Sequence, residues 1–170
     1  MDCFVKVYNK IANGIEKLCS ALGGITVFLF VVIITVQVFA RNVFKVPMIW
    51  ANDFSLICFV WATFFGSAIA VRHRSHYVVE LIPDKFRVAN RTLNLVGDIA
   101  GFIFFYVMIR YGIQFTMMGL RRLSTSMNIP QAYFFACIPV SALFMFFFNL
   151  SIFAEDVIAL KKAIKKEDDE

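Results

Sequence analysis

An uncharged stretch of helical length occupies residues 54–71, and it limits the folds that this chain can adopt. At 1.5 Å per residue it forms about 27 Å of helix, close to the thickness of the hydrocarbon layer of a bilayer. The whole chain is 60% hydrophobic, and its mean hydropathy is +0.73. A soluble domain of this size needs more polar surface than that. The stretch therefore predicts a transmembrane helix in an integral membrane protein.

Three further apolar segments have the length of a membrane span. Together the four predict an all-α integral membrane protein with four transmembrane helices, at about residues 18–40, 54–71, 92–119 and 132–154. Pro130 suits the first turn of the last helix, and Pro139 predicts a kink within it. We expect residues 1–170 to form a single membrane domain, with a charged cytoplasmic tail at residues 155–170.

The N-terminal segment has the pattern of an amphipathic helix. Its apolar side chains recur at spacings of three and four residues, at Phe4, Val7, Tyr8, Ile11, Ile15 and Leu18. This pattern predicts an interfacial helix that lies in the headgroup region before the chain turns inward. A cleavable signal peptide fits less well, because the following apolar run is too long and no small–x–small cleavage site ends it. We expect an uncleaved signal anchor.

Basic residues are unevenly distributed between the two sides of the predicted membrane. The N-terminal segment, the 72–91 connection and the tail contain 12 Lys and Arg, against 4 in the other two connections. Because positive charge is retained on the cytoplasmic side, both termini are predicted to be cytoplasmic. The net charge of +5 lies in short clusters between apolar runs. That distribution argues against nucleic-acid binding, which requires basic residues on one surface.

Two charged residues, Asp98 and Arg110, lie inside a predicted span. They are separated by about 18 Å along one helix, so they cannot pair with each other. A charge near mid-membrane costs about 3 kcal/mol on insertion scales, so each is expected to have a partner or to reach an interface. We predict a charge cluster at the mouth of the second span, in which Asp53 pairs with Arg110 or with its rival Arg41.

Small residues recur at intervals of four in two of the predicted spans. They are Ala62, Gly66 and Ala70 in the second span, and Gly97 and Gly101 in the third. Such stripes let the backbones of membrane helices approach closely, and they predict packing surfaces. The alternative is chance, since membrane helices tolerate alanine and glycine.

Residue types that carry catalysis or bind metals are scattered along the chain. The four Cys lie singly, so a disulfide, a zinc site and a redox dithiol are not expected. His73 and His76 have helical spacing for a metal, but no carboxylate or thiol completes a ligand set nearby, and an interfacial hydrogen bond is the expected role of His76. Nucleophile–base pairs, phosphate-binding loops and metalloprotease motifs are absent from the sequence. We expect neither an enzyme nor a bound cofactor.

The spans contain few groups with which to transport a solute. A sodium- or proton-driven carrier usually has broken helices or several polar residues around a midplane site. This chain has one Asp, one Arg and one proline kink in four spans, so we expect it to act with a partner. Two alternatives stay open. A small homo-oligomeric exporter needs an acid in its first span, and a membrane thiol oxidase needs paired Cys.

A distinctive order of residues extends from about residue 40 to residue 140. It comprises Arg41, Phe44, Trp50 and Asp53, the segment FVWATFFGSAIA (59–70) with Trp61 and Gly66, then Arg72, His76, Val78 and Pro83, and finally IPQAYFFACIPV (129–140). This order resembles the small membrane subunit of tripartite ATP-independent periplasmic (TRAP) transporters. The family commonly has Glu where this chain has Asp53, so the carboxylate here has a shorter reach.

The resemblance implies a role in a complex in the inner membrane of a bacterium or archaeon. Small subunits of this family have four transmembrane helices and bind a larger membrane subunit, which carries the substrate and sodium sites and moves as an elevator. A periplasmic binding protein delivers the substrate, usually an organic acid anion. By resemblance, this chain is a scaffold that holds no substrate, and its matching residues serve assembly.

Two details of the implied complex follow from the same resemblance. The predicted periplasmic connections offer Lys45, Arg121 and Arg122 as candidate contacts with the binding protein. The chain is most similar to the separate small subunits of sialic-acid systems, and a C4-dicarboxylate system is the rival. Whether one or two pairs of membrane subunits assemble stays open.

Overall fold

The computed structural model describes residues 2–73 and 87–168, and these residues are predominantly helical. The order is α1 (Asp2–Phe39), a π-helical turn (Ala40–Phe44), α2 (Trp50–Arg72), α3 (Arg87–Gly119), the short α4 (Ala132–Phe135) and α5 (Cys137–Asp168). The β-structure among these residues is limited to an isolated β-bridge between Leu123 and Pro130. Residues 74–86, including His76 and Pro83 of the predicted motif, lie outside the described residues.

Four helical segments among the described residues are long and apolar enough to cross a membrane. They are Lys10–Phe44, Trp50–Arg72, Asn94–Gly119 and Ala132–Ala154. The predicted fold class, an all-α protein with four transmembrane helices, is therefore confirmed. It follows from length and composition, because in lipid a continuous helix satisfies every backbone polar group within its own segment.

Helix α1 differs from the expected arrangement, because no turn separates the amphipathic segment from the first span. The helix is continuous from Asp2 to Phe39, and its N-terminal part packs on α5. Tyr8 stacks on Phe147 with ring centroids 4.7 Å apart, and its hydroxyl donates a hydrogen bond to the Phe147 carbonyl. Burial raises the pKa of this hydroxyl above its ordinary value. The apolar face that predicted contact with lipid headgroups is thus covered, in part, by another helix.

The spanning helices form an open row in the order α1, α2, α5, α3. Helix α2 contacts both α1 and α5, and α5 contacts both α2 and α3. In contrast, among the described residues no Cα atom of α1 or α2 lies within 8 Å of one in α3. Burial is greatest near the middle of the row, since 44% of the apolar stretch within Ala132–Ala154 is buried, against 11% of that within Lys10–Phe44. Helix α5 is therefore central, and α1 and α3 form the two edges.

A hydrophobic core joins all four long helices. Its buried members are Ala12, Ala68, Val71, Phe105, Met145, Phe148 and Ile152. The members from α2 come from its last two turns, so the core lies near the end of α2 that is predicted to be cytoplasmic. Close packing at this level holds the row together, although each helix exposes apolar side chains elsewhere.

Two glycines outside the predicted stripes, Gly112 and Gly119, lie at close helix approaches. A Cβ atom added at Gly112 would lie 3.0 Å from Ile138, and one at Gly119 would lie 2.8 Å from the backbone nitrogen of Ala132. At Gly66 and Gly97 an added Cβ would meet nothing within 4 Å. These two members of the predicted stripes therefore do not bring helices together within the chain. As surfaces for another subunit, the stripes stay a prediction.

Substituting Gly119 by alanine is expected to lower the free energy of unfolding by about 2 kcal/mol. The new methyl group would meet backbone atoms of Ala132 at 2.8 and 3.0 Å, so α3 and α4 have to separate. The measurement is thermal unfolding of the purified protein in detergent. Gly24→Ala is the matched control, because a Cβ there meets nothing within 4 Å. Equal unfolding temperatures for the two variants would contradict the prediction.

Candidate functional site

The carboxylate of Asp53 anchors the segment that connects α3 to α4. Asp53 lies in the first turn of α2 and accepts a hydrogen bond from the Ser124 hydroxyl. It also accepts hydrogen bonds from the backbone nitrogens of Ser126, at 3.2 Å, and Met127, at 3.0 Å. These donors converge on one carboxylate oxygen, and hydrogen bonds to a charged acceptor are among the stronger ones in proteins. We call residues 121–131 the anchored segment.

The anchored segment has its own hairpin-like hydrogen bonds. The Ser124 nitrogen donates to the Ile129 carbonyl at 2.8 Å, and the Gln131 nitrogen donates to the Arg122 carbonyl at 2.9 Å. Asn128 adopts a left-handed conformation with φ of 53°, which asparagine tolerates better than most residues. The segment therefore has a defined shape, and Asp53 binds its tip.

The predicted pairing of Asp53 with an arginine is wrong. Among the described residues, neither Arg41 nor Arg110 forms an ion pair with it, and its partners are the donors of the anchored segment. The physical reason is the direction of Arg110, which is exposed and lies on the side of α3 opposite Gly112 and Gly119. Those glycines face α5 and α4, so the arginine points away from α2.

A second polar cluster lies at the other end of α2. Glu16 of α1 accepts hydrogen bonds from Arg72 Nε at 2.6 Å and from His73 Nε2 at 2.8 Å. The Arg72 guanidinium also donates to the Asn13 side chain and lies 5.3 Å from the centre of the Phe148 ring. Because the Arg72 and Glu16 side chains are only 19% and 24% exposed, this ion pair is largely withdrawn from solvent.

Sequence reasoning selected Arg72 but missed Glu16 and Asn13. A signal was present, because Glu16 is the one acid between Asp2 and Asp53 in an otherwise basic segment. Glu16 lies beside the apolar face of the amphipathic pattern, so it is close to any helix that packs on that face. The pairing itself requires the register of α1 on α2, which no local pattern specifies.

Trp61, another residue of the predicted motif, connects α2 to the break before α5. Its indole nitrogen donates a hydrogen bond to the Tyr133 carbonyl at 3.0 Å. Helicity is interrupted at Ala136, three residues before Pro139. Since proline has no backbone N–H, the carbonyl of Phe135, four residues earlier, loses its helical donor. The helix is thus interrupted close to the position of the predicted kink, and Trp61 binds beside this interruption.

The remaining predicted residues are not gathered at one place. Trp50, Lys45, Arg121 and Arg122 are exposed at the predicted periplasmic end. Asp98 is 3% exposed, and its backbone carbonyl accepts a hydrogen bond from the Asn149 side chain at 3.0 Å.

The geometry therefore favours mechanical roles for the motif residues that the structure describes. Asp53, Trp61 and Arg72 each bind another segment of the same chain. Together they attach α2 to the anchored segment, to α4 and to α1. Groups committed to internal hydrogen bonds are poorly placed to bind a solute.

Comparison with known proteins gives a consistent result. The family model described as the DctQ component of tripartite ATP-independent periplasmic transporters matches residues 30–158. The chain is 28% identical over 137 residues to the sialic acid TRAP transporter permease protein SiaT of Haemophilus influenzae, a match that covers 78% of this chain and 22% of SiaT. It is also 26% identical over 150 residues to the sialic acid TRAP transporter small permease protein SiaQ of Vibrio cholerae, covering 86% of this chain and 83% of SiaQ.

The family match covers most of the described helices, from within α1 to within α5. The chain spans about a fifth of SiaT but most of SiaQ, which carries the name of a small permease protein. Its four membrane-spanning helices agree with a permease component. This chain therefore belongs to the DctQ family of TRAP transporter components and is a multi-pass protein of the inner membrane.

Proposed function

We propose that this chain is the non-catalytic scaffold subunit of a sodium-coupled secondary transporter that imports an organic acid anion. It binds and stabilises a larger, elevator-type membrane subunit, which carries the substrate and sodium sites. A periplasmic binding protein delivers the substrate to the pair. The chain itself holds neither substrate nor a cofactor.

The open row of helices is the observation that carries this proposal. A row in which α1 and α3 do not approach each other presents two broad faces to its surroundings. Large apolar side chains are exposed around the row, as at Phe28 of α1, which is 67% exposed, and Ile103 of α3, which is 63% exposed. A flat row of helices suits packing against a second membrane protein, because it offers a large contact area.

The internal anchors support the scaffold role. The anchors at Asp53 and Arg72 lie at opposite ends of α2. Helix α2 is therefore held against its neighbours at two levels, which opposes sliding of one helix past another. A static support for a moving transport domain requires this kind of rigidity.

Sialic acid is the substrate that we favour, and a C4-dicarboxylate is the next choice. The two relatives described above both carry sialic acid in their names. In SiaT the stretch similar to this chain is part of a much longer permease polypeptide. That arrangement supports the view that this chain works beside a large membrane subunit.

The binding protein is proposed to contact the predicted periplasmic end of the chain. Arg121 and Arg122 are exposed there, as is Lys45. The first two begin the segment that Asp53 anchors, so their positions are held by the fold. A basic surface of this kind attracts an acidic partner and raises its association rate.

The test is uptake of labelled sialic acid into proteoliposomes under an inward sodium gradient. We expect uptake only when this chain, the large membrane subunit and the binding protein are all present. The chain alone should give no uptake, and it should co-purify with the large subunit at one to one in mild detergent. A homodimer that moves cations unaided would contradict the proposal and favour the small-exporter alternative.

A further inference from the structure

The outer edge of the row carries a charged side chain within a membrane span. Arg110 lies on the exposed side of α3, with Tyr106 and Gln114 one turn to either side. Residues four apart share one face of a helix, so the three side chains form a polar stripe. Tyr106 is 66% exposed, and α3 packs on α4 and α5 through its other side.

The depth of Arg110 decides what can neutralise it. The residue lies about 13 Å along the helix from Gly119 and about 24 Å from Asn94, which are the two ends of the span. Among the described residues, Arg110 forms no ion pair. A lipid phosphate lies at the membrane surface, so a carboxylate at the same depth on a neighbouring helix reaches the guanidinium more easily. Ionisable groups inside membranes almost always have such partners.

A second copy of this chain is a poor partner for the stripe. A symmetric dimer through this edge would place Arg110 next to Arg110, and like charges repel. The acid of the same helix, Asp98, is buried and therefore cannot serve a second copy. The complementary charge has to come from a different protein.

We infer that the Tyr106–Arg110–Gln114 stripe binds an aspartate or glutamate within a transmembrane helix of the large membrane subunit. This inference rests on the proposed function and adds the contacting helix and the chemistry of the contact. The apolar residues Ile103 and Met117, each 63% exposed, extend the contact along α3. The carboxylate would accept hydrogen bonds from the arginine in a bidentate pair, which gives orientation as well as attraction.

The test is co-purification of the tagged chain with the co-expressed large subunit in mild detergent. Arg110→Leu is expected to lower recovery of the large subunit at least tenfold, and Arg110→Lys to lower it less. Lys17→Leu is the matched control, since it removes an exposed cation from α1 to which no contact is assigned, and recovery should not change. Leucine suits a lipid-facing position, so a lost partner would not reflect a misfolded chain. A single, monodisperse elution peak checks this.

A charge exchange identifies the partner residue. Arg110→Glu should abolish recovery, and replacing the correct carboxylate of the large subunit by arginine should restore it. Equal recovery for wild type and Arg110→Leu would overturn this inference and leave the proposed function intact. Failure of the wild-type chain to recover the large subunit would overturn both.

A parallel measurement addresses the lipid alternative. Native mass spectrometry of the isolated chain with phosphatidylglycerol should show equal lipid retention for wild type and Arg110→Leu. If the leucine variant loses the lipid but still recovers the large subunit, the occupant of the stripe is an anionic lipid and the inference is wrong.

Discussion

Replacing Glu16 by alanine is expected to lower the free energy of unfolding by about 3 kcal/mol. The substitution leaves the guanidinium of Arg72, whose side chain is only 19% exposed, without its carboxylate. It also removes the partner of His73. Removing one member of a largely buried ion pair is costly, because the other charge stays withdrawn from water. The measurement is thermal unfolding of the purified chain in detergent, followed by tryptophan fluorescence.

Two further variants test whether the loss of stability comes from the uncompensated charge of Arg72. Lys17→Ala changes the next residue of α1, which is exposed, and should leave the unfolding temperature unchanged. The double variant Glu16→Leu with Arg72→Met should recover most of the lost stability, since no uncompensated charge remains. If Glu16→Ala and Lys17→Ala unfold together, the ion pair does not stabilise the fold.

Replacing Asp53 by alanine is expected to destabilise the anchored segment (residues 121–131) by about 3 kcal/mol. The variant loses the acceptor for the Ser124 hydroxyl and for the nitrogens of Ser126 and Met127. When the segment opens, its backbone becomes extended, and trypsin can then cleave after Arg121 and Arg122. Because cleavage follows the population of the open state, its rate should rise about 100-fold.

The measurement is limited proteolysis of spheroplasts, in which trypsin reaches only the outer face of the membrane. Asn52→Ala is the matched control, because the side chain of the adjacent Asn52 accepts a hydrogen bond from Gln37, at 2.6 Å, and, within the part of the chain that the structure describes, forms none with the anchored segment. Asp53→Asn retains a neutral acceptor and should give an intermediate rate. Cleavage of Asp53→Ala at the wild-type rate would show that the segment is held by its own hydrogen bonds.

The two experiments probe opposite ends of the same helix. Asp53 holds the anchored segment at one end of α2, and Glu16 holds α1 at the other. Loss of either anchor should leave the spans inserted, because insertion depends on apolar length rather than on these bonds. Transport by the complete assembly is the second readout, since a scaffold whose helices slide provides weaker support.

Local features of the sequence predicted much of the fold. The four spans follow from apolar length, and the break before α5 follows from the missing N–H of Pro139. The order of motif residues pointed to the family that the comparison shows. It also selected Asp53, Trp61 and Arg72, each of which binds a distant segment.

The sequence did not show which side chains pair with each other. Asp53 and Arg110 have opposite charges, yet α2 and α3 are separated by α5, and the arginine faces outward. Glu16 and Arg72 lie in different helices, and only the register of α1 on α2 brings them together. Gly112 and Gly119, which belong to neither predicted stripe, pack closely on α5 and α4, whereas Gly66 and Gly97 face open space.

The sequence by itself determined that this chain is a four-span membrane protein, because backbone hydrogen bonding in lipid requires continuous helices of a set length. The tertiary structure alone decided which helices are neighbours and which faces meet. Within a membrane, apolar side chains face lipid and protein almost equally well, so hydrophobicity does not distinguish a buried face from an exposed one. Close packing and a few polar contacts make that choice, and they depend on residues far apart in the chain.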